Sequence, residues 1–179
     1  GGRLAFDAER DSLPKAIRKF YKLWYYMPGM DSAKILLGPG MAGINDAYII
    51  QPAFNNYFSK DGSKLFIGLS PQQLVKDTSL VDFETAKLDL WNYKDDYLQP
   101  QQLVQLNNAL KKSWLSVVDM GTGNLIQLGN DSCETVIVSQ DGNGRYALGI
   151  STKNYRIQQQ WTQHGIADLS LVDIQSGQK

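Results

Sequence analysis

Residues 13–29 read Leu13-Pro14-Lys15-Ala16-Ile17-Arg18-Lys19-Phe20-Tyr21-Lys22-Leu23-Trp24-Tyr25-Tyr26-Met27-Pro28-Gly29, and the spacing of their apolar side chains decides the fold expected for the chain. Ile17, Phe20, Tyr21 and Trp24 recur at i, i+3, i+4 and i+7, the period of one helical face. Asp11 or Ser12 stands where an N-cap belongs, and Pro14 falls in the first turn, where a missing N–H costs nothing. Lys15, Arg18, Lys19 and Lys22 occupy the flanks and back, and Pro28-Gly29 stops the run. The stretch predicts an amphipathic helix from Leu13 to Tyr26.

Downstream the signals are shorter. Ala33 to Leu37 is an apolar run that leads into Gly38-Pro39-Gly40-Met41-Ala42-Gly43, and Ala47 to Phe58 is aromatic-rich but interrupted by Pro52. Asp61-Gly62 marks a turn, and Lys64 to Leu69 resembles a short buried strand. Pro-Gln-Gln-Leu-Val occurs at Pro71 to Val75 and again at Pro100 to Val104. Both copies read as helix starts with proline in the first turn, and two copies are too few for a solenoid. The second opens a helix whose stripe is Leu103, Leu106, Leu110, Trp114 and Val117.

Beyond it, segments rich in Val, Ile, Leu, Tyr and Thr alternate with turn signals at Gly121 to Asn124, Gly129 to Asp131, Asp141 to Gly144, Lys153-Asn154 and His164-Gly165. This spacing predicts a meander of five or six antiparallel strands, with Tyr155 to Gln158 and Leu169 to Ile174 alternating as strands do. Asp141 to Gly144 is the expected tight hairpin. The expected fold class is therefore α+β, one domain with N-terminal helices packed on a C-terminal curved antiparallel sheet. Residues 1–10 form a loose, disordered start, 11–112 are mostly helical and 113–176 are sheet. Both apolar stripes then lie on the sheet's inner face.

Composition narrows the function classes. The 179 residues are 42% hydrophobic and 20% charged, a globular profile without an apolar run long enough to span a bilayer. Eighteen basic residues balance eighteen acidic ones, so the basic excess that grips nucleic acid is missing. Arg3, Arg10, Lys15, Arg18, Lys19 and Lys22 gather near the start, and Asp82, Glu84, Asp89, Asp95 and Asp96 in a later stretch; both read as solvated faces. Cys133 stands alone, which excludes an intrachain disulfide and a cysteine-based zinc site. The opening Gly1-Gly2-Arg3 has no methionine, as after removal of an export signal, so the expected location is periplasmic or extracellular.

The motifs that could carry chemistry are weak in their contexts. Gly38, Gly40 and Gly43 match G-x-G-x-x-G, whose glycines let backbone approach a pyrophosphate. Pro52 limits the helix that should follow, so nucleotide binding through Gly38 to Gly43 stands as an alternative to a glycine-rich connection. Val117-Val118-Asp119-Met120-Gly121-Thr122-Gly123 resembles a methyltransferase or actin-like phosphate motif, and a hairpin turn accounts for the same letters. Ser12-Leu13-Pro14-Lys15 matches S-x-x-K without its companion motifs. His164, the lone histidine, falls in a turn. Carboxylates such as Asp89, Asp95 and Asp119, or His164, would serve a small enzyme. No cofactor and no metal are expected.

Aromatic residues crowd the first third. Tyr21, Trp24, Tyr25, Tyr48 and Tyr57 are the candidate ligand-binding residues, because rings with polar tips line pockets that bury an apolar ligand while orienting it. Phe20-Tyr21-Lys22-Leu23-Trp24-Tyr25, with a late meander reaching Tyr155-Arg156-Ile157, resembles the nuclear-transport-factor-2-like superfamily, particularly its small exported bacterial proteins of uncharacterised function. The resemblance implies a cone of curved sheet wrapped on helices around a pocket; the superfamily holds enzymes, ligand binders and secretion-apparatus subunits. The expected function is a non-enzymatic binding or protein-interaction module of an exported protein, its partner a protein or a small apolar ligand.

Overall fold

The computed structural model describes residues 2–13, 15–41, 44–45, 47–74, 79, 81, 88–162 and 164–179. Its centre is β6 (Lys64–Pro71), whose residues 65–70 are all buried. Leu65, Ile67 and Leu69 point to one side of this strand and Phe66 to the other, so both faces of its sheet are covered. β6 pairs antiparallel with β4 (Tyr48–Ile50) and β5 (Tyr57–Phe58) on one edge and with β7 (Trp114–Asp119) on the other; β7 in turn pairs with β8 (Leu125–Gln127).

A second sheet, β1 (Leu4–Ala8), β2 (Lys22–Tyr26) and β3 (Lys34–Leu37), has β2 in the middle. It shares a core with β6, in which Leu23 and Leu37 meet Ile50, Leu65, Ile67, Leu69 and Val118. The third sheet has the order β11 (Asp168–Asp173), β10 (Tyr146–Ser151), β9 (Thr135–Ile137). Its core joins Ala147 and Val172 to Phe66, Val117, Leu128, Cys133 and Ile174. The middle sheet thus shares a hydrophobic cluster with each of the other two.

This mainly-β architecture replaces the expected α+β layout. Among the described residues only α1 (Gln99–Leu110) and the four-residue α2 (Arg156–Gln159) are α-helical. The stretch that predicted the first helix instead forms β2, where Trp24 faces Phe6 of β1 and Ile35 of β3. Trp and Tyr favour a pleated surface, and pairing on both edges satisfies the backbone that a helix would satisfy internally. Leu23, outside the helical stripe, is fully buried, whereas Ile17 on that stripe is 66% exposed. The 3.6-residue spacing was a coincidence laid over a period of two. Nor are residues 1–10 a loose start, since Leu4–Ala8 form an edge strand. Ser12 caps no helix; its N–H donates to the Glu9 carboxylate.

The second expected helix is shorter than its stripe. Pro100 sits in the first turn of α1 and Gln101 Oε1 accepts the N–H of Leu98 at 3.3 Å, but the helix stops at Leu110. Trp114 and Val117 belong to β7, buried between the sheets. Leu103, Leu106 and Leu110 do not pack on a sheet, and α1 buries no residue. The first Pro-Gln-Gln-Leu-Val copy differs again: Pro71 ends β6, and Val75 lies outside the described residues. Leu110→Ala and Lys111→Ala are consequently both expected to shift the urea midpoint little, each by about 0.5 kcal/mol or less of stability; a loss confined to Leu110→Ala would mean that α1 packs against the body.

The final third pairs antiparallel throughout, but its strands divide between two sheets. Tyr155 to Gln158 are not a strand. A turn of 3₁₀ helix (Lys153–Tyr155) and then α2 connect β10 to β11. The β9–β10 connection turns at Asp141 to Gly144, with Gly142 at φ +68°, but it is not the expected tight hairpin, because residues 138–145 lie between the two strands. A Cβ at Gly142 would lie 2.9 Å from Phe66 Cε2, so glycine lets this turn approach the core. No helix among the described residues is long and apolar enough to cross a membrane.

Candidate functional site

A cleft of about 960 Å³ runs along α1 between its Gln102, Gln105, Leu106 and Ala109 side and the residues before β9. Arg156 organises its floor. One guanidinium nitrogen donates to Asp96 and the other to Glu134, whose carboxylate also accepts from Lys112. The guanidinium carbon lies 4.8 Å from the centre of the Tyr97 ring. The side chains of Arg156 and Glu134 are only 11% and 12% exposed, and Arg156 Nε is buried with no hydrogen-bond partner among the described residues.

Local sequence explains how the arginine arrives there. After β10 the chain turns through Lys153–Tyr155, and Tyr155 Oη and Asn154 Nδ2 donate to Asp168 at 2.7 and 3.0 Å, pinning the turn to the start of β11. Arg156 then opens α2 toward the segment that precedes α1. Gln160 Nε2 donates to the Asp96 carbonyl at 2.9 Å. At the far end of α1, Gln51 and Gln73 both donate to the Leu110 carbonyl. The helix is tied at its two ends.

Burial disfavours the charge on Glu134, but the bonds from Arg156 and Lys112 outweigh it and hold the carboxyl below its ordinary range. Burial likewise works against the Arg156 charge, and Glu134 and Asp96 overcome it, raising its pKa. These groups neutralise one another, so the cluster fastens the segment before α1, the segment before β9 and α2 together. Among the described residues no group of three or more His, Cys, Asp and Glu could hold a metal ion.

The candidates read from the sequence lie elsewhere. None of Tyr21, Trp24, Tyr25, Tyr48 and Tyr57 lines this cleft. Tyr21 and Tyr48 pack against the first core, Tyr48 edge-on to Trp114 at 5.6 Å. Tyr25 meets Phe58 edge-on at 6.2 Å, and Tyr57 stacks on Phe66 at 5.0 Å. Trp24 lies under Arg10, whose guanidinium is 5.8 Å from its ring. The residues behind the family resemblance, Phe20 to Tyr25, end in a strand.

Asp95 does line the cleft, but Asp119 lies at a separate depression beside Lys64 and Ile126, and the exposed Asp89 and His164 line neither. Asp119 accepts the N–H groups of Gly121 and Thr122 at 2.9 and 2.8 Å, so the methyltransferase-like letters form the β7–β8 turn. Gly38 to Met41 close a turn after β3 with Gly40 at φ +74°, and the next described strand is β4; Ala42, Gly43, Asp82 and Glu84 lie outside the described residues. The sequence marked Asp96 only as part of a solvated acidic face and Arg156 only as part of a strand, and nothing in it singled out Glu134. The signal for Arg156 was a single charge amid Tyr155, Ile157 and three glutamines. The chain matches no protein-family model and no curated protein sequence.

Proposed function

We propose that this chain is a protein-interaction module whose docking element is α1, with no chemistry of its own. The observation that carries the reading is the uncovered apolar stripe of that helix. Leu103, Val104, Leu106 and Leu110 are 45–83% exposed, and none of the twelve residues from Gln99 to Leu110 is charged. A helix this short is marginal in water unless an apolar face is packed, and a solvated helix normally carries charges. Charge depletion around aliphatic anchors is the composition of an interface core. An amphipathic helix of this kind suits an apolar groove on a partner. The adjoining cleft is lined mainly by amides and paired charges, which favours a protein surface over a small apolar ligand.

The test places a photoreactive amino acid at Leu103 or Leu110, and at Ile17 as a control outside α1, in cells that make the protein. The expected result is one discrete cross-linked species from both α1 positions and none from Ile17. Cross-linking that is absent at α1, or the same at all three positions, would remove the proposal.

A further inference from the structure

The third sheet carries its large apolar side chains on the wrong face for a protein that is complete as one chain. Toward the core it presents Ala147, Gly149, Ser151, Ser170 and Val172; outward it presents Ile137, Tyr146, Leu148, Leu169 and Leu171, which are 41–68% exposed. The inner residues are small because the segment through Cys133 crowds them: a Cβ on Gly149 would fall 2.6 Å from Cys133 Sγ. An antiparallel sheet with one solvated face shows polar residues there, so apolar residues on both faces indicate cover on both.

Register arranges the outer residues in rows. Ile137, Leu148 and Leu171 lie directly across from one another on the three strands, and Thr135, Ile150 and Leu169 form the next row. Arg145 and Asp173 sit at one margin, paired at 3.1 Å with the guanidinium 5.2 Å from the Tyr146 ring, and Asp168 at the other margin accepts from Tyr155 and Asn154. No charge has to be desolvated at the centre.

We propose that this face pairs with the same face of a second copy of the chain across a two-fold axis. With roughly 200 Å² for each large side chain, of which 41–68% is exposed, the five outward residues offer on the order of 500 Å² of apolar surface per copy. Two copies then bury about 1,000 Å² from the centre alone, and the surrounding rim brings the contact into the range of about 1,200–2,000 Å² that specific interfaces occupy. A two-fold contact matches the face to its own composition and row spacing, and twisted sheets stack face to face about 10 Å apart with interdigitating side chains. Leu148, on the central strand, falls nearest the axis. This contact goes beyond the reading of α1 and uses a different surface.

Sedimentation velocity on the purified chain, across roughly micromolar to submillimolar concentrations, tests it. A concentration-dependent dimer is expected, weakened about tenfold or more by either Leu148→Glu or Leu148→Lys. Because Leu148 lies on the surface, both variants are expected to keep the wild-type circular dichroism. An equimolar mixture of the two should associate again, since opposite charges then meet at the axis; a merely misfolded pair would not. Leu106→Glu in α1 should leave the dimer intact, so this experiment and the cross-linking at α1 fail independently. A wild-type chain that stays monomeric throughout, or a dimer indifferent to Leu148→Glu or lost on Leu106→Glu, would overturn the proposal.

Discussion

Phe66→Ala is expected to destabilise the folded chain by about 3–5 kcal/mol, the largest effect of any single truncation considered for this protein. Phe66 is fully buried on β6. Its ring stacks on Tyr57 at 5.0 Å and belongs to the cluster in which Val117, Ala147, Val172 and Ile174 join the middle sheet to the third. Tyr57, Val117, Ala147 and Val172 are anchored on β5, β7, β10 and β11, so the site collapses little and the cavity penalty adds to the lost transfer energy. A domain of this size is stable by about 5–15 kcal/mol, so the variant would forfeit a large part of the total. Urea unfolding followed by tryptophan fluorescence should show a much lower midpoint with an unchanged slope. Ile17→Ala, at a position exposed in this fold but central to a helical reading, should stay within about 0.5 kcal/mol of wild type. If Ile17→Ala proved as damaging as Phe66→Ala, residues 13–26 would have to be packed as a helix after all.

Arg156→Ala is expected to cost about 2–3 kcal/mol at neutral pH, because it strips the shielded Glu134 carboxylate of its best partner and releases Asp96. Lys112 still reaches Glu134, which keeps the loss below that of a wholly orphaned buried charge. Arg156→Lys should recover only part, since one ammonium cannot bridge two carboxylates as a planar guanidinium does. The pH dependence has a definite sign. Glu134 is held below the ordinary value of 4.5, so its contribution is present above that value and disappears as pH falls through the lowered one. The stability gap between wild type and Arg156→Ala should therefore be full at about pH 7 and narrow steadily below about pH 4.5. A gap that stayed constant down to about pH 3 would assign the loss to packing on Tyr97 instead of to charge.

The short elements bounded by turn chemistry were readable in advance. Asp61-Gly62 turns as its residues demand: Gly62 takes φ +72°, and Asp61, bonded by Ser59 and the Ser63 amide, is held at a pKa of about 2. Lys64 to Leu69 form a buried strand, and Pro100 opens a helix. These features depend on a few neighbouring residues, which is the range over which sequence acts directly. The candidate site was less legible. Arg156, Asp96 and Glu134 are far apart in the chain and meet only because the Lys153–Tyr155 turn is pinned to Asp168.

By itself the sequence placed turns at Asp61-Gly62, Gly121 to Asn124 and Asp141 to Gly144, a strand at Leu169 to Ile174, and a helix start with Pro100 in its first turn. Only the tertiary structure decided that residues 22–26 are a strand, because a run such as Lys22-Leu23-Trp24-Tyr25-Tyr26 satisfies both periods and the choice passes to its partners, β1 and β3. It also decided which face of each amphipathic element meets the core. Leu103, Leu106 and Leu110 on α1, and Leu148 and Leu171 on the third sheet, look like core residues in any local window. They are exposed because the space against the middle sheet is already filled, by Leu23 and Leu37 on one side and by Ala147, Val172 and Cys133 on the other. Hydrophobicity states that a side chain will seek cover; which surface supplies it depends on the competition among all the others, and that competition is settled by packing.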